Sequence, residues 1–155
     1  MKKFTIICLL AVASIPSFSQ PTRVAQRPES YAERLNNEYC TGLFQSAEGQ
    51  IFDIADNLTT GGYLNILDWL DGRVAGLQVR KTWSGQSIPF IRGTLAGIYV
   101  DEMPIQYNFL NSLNIFDIAI VKVVKSPFMG GFNGGGGAIL IYTKGGEEED
   151  EESVD

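Results

Sequence analysis

The fold is decided by one stretch of the sequence, IAIVKVV, which spans Ile118–Val124. Most of its residues are Ile or Val, and β-branched side chains favour a strand. Apolar residues occupy both alternating positions, so this strand is expected to be covered on both faces of a sheet. Lys122 is the exception and is expected to face solvent. The stretch therefore predicts an interior strand on which folding depends.

Shorter patterns surround this strand on both sides. Alternating or β-branched runs predict strands at 77–80, 90–92, 97–101 and 138–142. Apolar residues at helical spacing predict a helix within 47–58 and an amphipathic helix within 64–76, of about ten to twelve residues. A short helical turn is expected at 109–113. Helices and strands mixed in one stretch predict a single α+β domain, a small mixed β-sheet with short covering helices.

The N-terminal residues 1–19 have the pattern of a secretory signal peptide. Lys2 and Lys3 precede an apolar stretch at 4–13, and Ser17 and Ser19 supply the small residues of a cleavage site. The apolar stretch is shorter than the roughly 20 residues of a membrane-spanning helix. We expect export, cleavage after Ser19, and no transmembrane segment afterwards.

Composition divides the rest of the chain. Residues 20–45 are polar, with little apolar periodicity, and are expected to form a flexible lead to a folded domain at 46–146. Residues 147–155 carry seven acidic groups and no basic one, which predicts a disordered tail. This tail accounts for most of the net charge of -6. No basic stripe is present, so a nucleic-acid partner is not expected.

The side chains needed for catalysis are missing. The sequence has no histidine, and Cys40 is the only cysteine outside the predicted signal peptide. The carboxylate pairs Asp68 with Asp71 and Asp101 with Glu102 are expected on a solvated helix face and in a turn. The glycine run at 130–137 leads into a strand rather than a helix, unlike a phosphate-binding loop. The sequence predicts no enzyme, no catalytic residue, no metal site and no cofactor.

Five blocks of sequence, in order, resemble the plug domain of TonB-dependent outer-membrane receptors, and most closely the SusC-like receptors of Bacteroidetes. The blocks are LDGRVAGLQV at 70–79, IRG at 91–93, YVDEMPI at 99–105, the segment 114–125, and the glycine-rich ending at 128–144. Each block is short, but their order is specific. The resemblance covers roughly half of the chain.

The resemblance implies structural roles for a set of residues inside these blocks. They are Gly72, Arg73, Gly76, Arg92, Gly93, Asp101, Pro104, Asp117 and Gly137. Glu102 stands where the family more often has glycine. Ligand contacts are expected at Trp83, in a loop, and at Gly130, Gly131, Phe132 and Asn133.

The function expected from the resemblance is non-catalytic. No series of membrane-crossing strands follows Lys144 in the sequence, so we expect a stand-alone plug-like module linked to nutrient uptake. It is expected in the periplasm or at the periplasmic face of the outer membrane. Its expected partners are an outer-membrane β-barrel, a TonB-like protein or a surface lipoprotein. The alternatives are a periplasmic binder of small, glycan-like molecules and a truncated receptor without activity of its own.

Overall fold

Two β-sheets and three short helices make up the computed structural model, which describes residues 28–128 and 134–145. The helices are α1 (Tyr31–Tyr39), α2 (Gly42–Ser46) and α3 (Ile66–Leu70). The strands are β1 (Gln50–Asp53), β2 (Leu77–Lys81), β3 (Ser87–Ile91), β4 (Thr94–Leu95), β5 (Gly97–Val100), β6 (Met103–Ile105), β7 (Ile118–Val124) and β8 (Ala138–Thr143). The predicted signal peptide, the tail at 147–155 and the predicted contacts Gly130, Gly131, Phe132 and Asn133 lie outside these residues. The domain limits drawn from composition stay predictions.

The larger sheet has the strand order β1-β7-β8-β5-β6, and the smaller one β2-β3-β4. Strands β5 and β8 pair in parallel, and every other pair is antiparallel. The larger sheet is therefore mixed, as the sequence predicted. Strand β7 is paired on both edges and all seven of its residues are buried, which confirms the prediction of an interior strand.

The two faces of the larger sheet are covered by different elements. The first face, which includes Val121 and Val123, packs under α3 and the smaller sheet in a core of aliphatic side chains and Trp69. The second face, which includes Ile120 and Val124, packs under α1 and α2. Both covers are short because each needs only to span a few strands.

Three local predictions are wrong. The stretch 47–58 contains strand β1 instead of a helix, because its backbone pairs with the open edge of β7. The helix predicted within 64–76 is only α3, since Gly72 at φ +77° and Gly76 at φ +84° turn the chain. Leu64, expected on its apolar face, is 96% exposed.

Of the lead predicted at 20–45, the structure describes residues 28–45, which include α1 and most of α2. The Ser30 hydroxyl caps α1 by accepting a hydrogen bond from the Glu33 amide, and the Glu33 carboxylate accepts one from the Ser30 amide, which makes a capping box. Leu35 and Cys40 are buried against the sheet. Lys122, predicted to face solvent, is 1% exposed because α1 and α2 cover it.

Candidate functional site

Gly76 and the Arg92-Gly93 turn join α3 to the smaller sheet. Arg92 at φ +52° and Gly93 at φ +81° form the two-residue turn between β3 and β4, whose mirror-image geometry requires positive φ at both positions. The Arg92 amide donates to the Gly76 carbonyl at 2.8 Å. These residues fix the smaller sheet relative to the helix, which is a structural role, and the Arg92 side chain is exposed.

Arg73 covers the end of α3. Its guanidinium donates to the Trp69 carbonyl at 2.5 Å and lies 4.6 Å from the centroid of the Trp69 ring and 5.3 Å from that of Tyr63. A cation suits this position, because the last carbonyls of a helix carry partial negative charge. Trp69 itself is 1% exposed, so it belongs to the core as predicted.

The turn between β5 and β6 is formed by Asp101 at φ +47° and Glu102 at φ +67°. The Asp101 carboxylate accepts from the amide of Thr143, at 2.9 Å, and from its hydroxyl, at 2.8 Å. Pro104 follows in edge strand β6, opposite Tyr99. The turn is therefore tied to the end of β8.

Asp117 secures the same end of β8 through its backbone. It closes the short 3-10 helix Ile115–Asp117, and its carbonyl accepts from the Lys144 amide at 2.8 Å. The residues singled out by the resemblance thus lie at turns and at strand ends.

The described part of the glycine run lies where backbones from both sheets approach closely. A Cβ atom on Gly137, which has φ +103°, would lie 2.3 Å from the Val124 carbonyl oxygen. A Cβ on Gly136 would lie 2.7 Å from the carbonyl oxygens of Thr94 and Leu95. Only glycine fits these two positions.

Trp83 and the described glycines are not brought together. Trp83 lies in the loop between β2 and β3 and is fully exposed. Gly136 contacts β4, beyond the opposite end of β3. Since the intervening strand Ser87–Ile91 is roughly 13 Å long, these two groups do not form one site. A ligand contact at Trp83 alone stays a prediction.

The acidic residues that could suggest catalysis have structural partners. The Asp68 carboxylate accepts from the Ser87 hydroxyl and from the Lys81 ammonium, each at 2.9 Å. The Asp71 carboxylate accepts from the Val79 amide at 3.2 Å. Both therefore tie α3 to the smaller sheet. Among the described residues there is no group of three side chains that could bind a metal ion.

One cleft of about 510 Å³ opens beside β5 and β6. Its walls are made by Leu95, Ala96, Ile98, Pro104, Ile105, Gln106 and Tyr107. The lining residues that the structure describes are mostly apolar, so the cleft offers surface for contact. None of the helices in the described ranges has the length and apolar character needed to cross a membrane.

The described residues form a mixed sheet whose turns are held by specific hydrogen bonds. Residues 54–138 match the family model described as the TonB-dependent receptor plug domain. This match covers more than half of the chain. The chain therefore belongs to the TonB-dependent receptor plug domain family, whose members are non-catalytic components of outer-membrane transport.

Solved structures of transport proteins contain the same fold. The RagAB peptide importer in its closed-closed state is 26% identical over 64% of this chain and 12% of its own, with a TM-score of 0.51. The siderophore receptor PirA from Acinetobacter baumannii is 21% identical over 68% of this chain and 19% of its own, with a TM-score of 0.53. A mutant of the ferric enterobactin receptor PfeA from Pseudomonas aeruginosa is 18% identical over 74% of this chain and 19% of its own, at 0.51.

The chain thus spans less than a fifth of the length of these proteins. No curated protein matches the sequence. The likeness to RagAB supports the resemblance to SusC-like receptors, whereas PirA and PfeA show the fold alone.

Proposed function

We propose that this domain is a non-catalytic module of outer-membrane nutrient uptake that acts by seating in a β-barrel. The proposal is carried by the positions, in the structure, of the residues that the resemblance to plug domains singled out. Arg92 with Gly76 fixes a turn of the smaller sheet, Asp101 with Thr143 fixes a turn of the larger sheet, and Gly136 lies against the backbone of β4 where the two sheets meet. A rigid body of this kind suits a part that closes a channel.

The class of cargo follows from what the similar proteins share. RagAB is described as a peptide importer, and PirA and PfeA as receptors for siderophores. Import of a nutrient across the outer membrane is common to them. Peptide import is the nearer analogy, because RagAB alone of the three exceeds 25% identity.

The partner proposed is an outer-membrane β-barrel, and the location is the outer membrane with its periplasmic face. Plug domains of this family sit in such barrels and interact with TonB. A TonB-like protein and a surface lipoprotein are further partners of an uptake system. We further propose that the module works as an independent polypeptide. The crosslinking experiment described next tests this as well.

Photo-crosslinking in the cells that make the protein tests this proposal. A photoreactive residue is placed at Leu64, Trp83 or Phe116, which are all largely exposed. We expect at least one position to crosslink to a barrel, recognised because its gel mobility changes on boiling. A crosslink to a separate polypeptide supports an independent module, and one within a longer chain supports a receptor segment.

The matched control carries the same photoreactive residue together with Val121→Asp, which should prevent folding. Its crosslinks should disappear if they depend on the folded domain. Crosslinks to periplasmic proteins only, or none from any position in the folded chain, would overturn the proposal.

A further inference from the structure

Residues 31–46, which we call the clasp, cover the second face of the larger sheet. The clasp consists of α1, the Cys40-Thr41 link and α2. It buries Leu35 and Cys40, and the Phe44 ring packs against Tyr99 and Phe128 with centroid distances of 5.5 and 5.3 Å. The clasp precedes the region 54–138 that matches the family.

No strand pairing of either sheet involves the clasp. All the ladder bonds are made among β1 to β8, and the clasp is covalently joined to them only through residues 47–49. Its departure would break no ladder bond. The clasp could thus leave the second face while the five-stranded sheet stays intact.

Lys122 is the main polar attachment of the clasp. Its ammonium donates to the Asn36 side-chain oxygen at 2.6 Å, to the Phe44 carbonyl at 2.6 Å and to the Gln45 carbonyl at 3.2 Å. A lysine has three donors, and all three are used by clasp residues. Burial lowers the pKa of the Lys122 amine, which is the cost of placing a charge at this position.

Gly49 leaves the space that this lysine needs. A Cβ there would lie 3.1 and 3.2 Å from the Cγ and Cε atoms of Lys122, and 2.9 Å from the Val123 carbonyl oxygen. The stem of Lys122 therefore passes beside a position without a side chain. The Lys122 side chain can thus reach from β7 to the carbonyls of α2 because residue 49 is glycine.

Glu102 is the second polar attachment. Its carboxylate accepts from the Thr41 amide at 2.7 Å, from the Thr41 hydroxyl at 2.6 Å and from the Tyr142 hydroxyl at 3.3 Å. Thr41 lies between α1 and α2, so this bond holds the middle of the clasp. An exposed bond from the Tyr31 hydroxyl to Asp53 holds its beginning.

We propose that the clasp opens as one unit from an intact sheet, and that Lys122 and Glu102 are the groups that keep it closed. Opening exposes an apolar, aromatic face with a single ammonium group. The polar attachments make this opening selective, because they join the clasp to the sheet, and only the longer bond from Tyr142 to Glu102 lies within the sheet.

Cys40 provides a probe, because it lies in the clasp and is 2% exposed. In the full chain with Cys8→Ser, Cys40 is the only thiol. Its reaction with an aromatic disulfide reagent is followed in increasing urea, and global unfolding is followed by circular dichroism. We expect labelling at low urea to be faster than global unfolding permits and to depend on urea less steeply than global unfolding does, because opening exposes only one face of the sheet.

Lys122→Met should raise the labelling rate about tenfold or more, since it leaves three buried acceptors without their charged donor. Lys125→Met is the matched control, because Lys125 directly follows β7 and is partly exposed. It should leave the labelling rate of Cys40 within about twofold. Thr41→Val, at an exposed position, removes only the hydroxyl bond to Glu102 and should raise the rate several-fold. This variant decides the question if Lys122→Met fails to fold.

Two results would overturn the proposal. One is labelling of Cys40 that follows global unfolding with the same urea midpoint and slope. The other is labelling that is unchanged by both Lys122→Met and Thr41→Val. The first would mean that the clasp unfolds only together with the domain, and the second that Lys122 and Glu102 do not hold the clasp closed.

Discussion

The two faces of the larger sheet are stabilised in different ways. The first face is an aliphatic core in which α3 and the smaller sheet cover β7, and its turns are those of the plug family. The second face is aromatic and is held partly by hydrogen bonds from Lys122 and to Glu102. Apolar burial acts wherever surfaces meet, whereas a hydrogen bond needs a specific partner. The first face should therefore determine whether the domain folds, and the second whether one segment stays attached.

The strongest way to break the first face is Val121→Asp. Val121 is 0% exposed, and a carboxylate buried there has no cation to pair with on that aliphatic face. The cost is several kcal/mol, against roughly 5 to 15 kcal/mol for the stability of a domain of this size. We expect little soluble folded protein by circular dichroism. The control Lys125→Ala, at a partly exposed position, should fold normally, and a wild-type urea midpoint for Val121→Asp would contradict the assignment.

A paired substitution compares the faces directly. Leu70→Ala, at 0% exposure under the first face, should lower the free energy of unfolding by about 2 to 5 kcal/mol. Leu35→Ala, at 9% exposure in the clasp, should lower it less and should mainly raise the labelling rate of Cys40. Urea denaturation and thiol labelling measure the two effects. Equal losses of global stability would show that the faces do not differ in this way.

Substitutions at two glycines measure how much close backbone contact contributes to stability at the first face. Gly137→Ala would combine backbone strain with overlap on the Val124 carbonyl, and should cost about 2 to 4 kcal/mol. Gly72→Ala, also at positive φ but facing open space, should cost only about 1 to 2 kcal/mol. The difference between their urea midpoints isolates the overlap. Similar midpoints would mean that the chain relaxes around residue 137.

Trp83 should contribute to neither face. Because it is fully exposed in the loop between β2 and β3, Trp83→Ala should change the free energy of unfolding by less than about 0.5 kcal/mol. It should also remove the tryptophan emission that aqueous iodide quenches, leaving that of buried Trp69. A loss of several kcal/mol would place Trp83 in a contact that the fold does not contain.

The sequence predicted the first face far better than the second. Strand β7 could be recognised because β-branched residues fill both alternating positions, and the turn at Arg92-Gly93 because its block is typical of the family. Lys122 was misassigned because a lysine in a strand ordinarily faces water. Its burial depends on Phe44 and Gln45, whose contribution is made by backbone carbonyls and so leaves no trace in residue type.

The helix predictions failed for physical reasons that particular residues show. Ile51, Ile54 and Ala55 have helical spacing, yet pairing with β7 draws this backbone into a strand, which is a tertiary effect. The short helix α1 has few apolar residues because it touches the sheet along one narrow stripe. The Ser30 and Glu33 capping box was the available signal for it. The contact between Glu102 and Thr41 joins distant parts of the chain, and no local sequence pattern predicts it.

The position of β8 has a consequence for how the chain acquires its structure. This strand, near the end of the described residues, lies at the centre of the five-stranded sheet, between β7 and β5. A polypeptide that emerges from its N-terminus onward, from a ribosome or through a membrane channel, has no strand to place between β5 and β7 until residue 143 has emerged. Such pairings between distant residues make folding slow. The five-stranded sheet is thus completed only when almost the whole described chain is available.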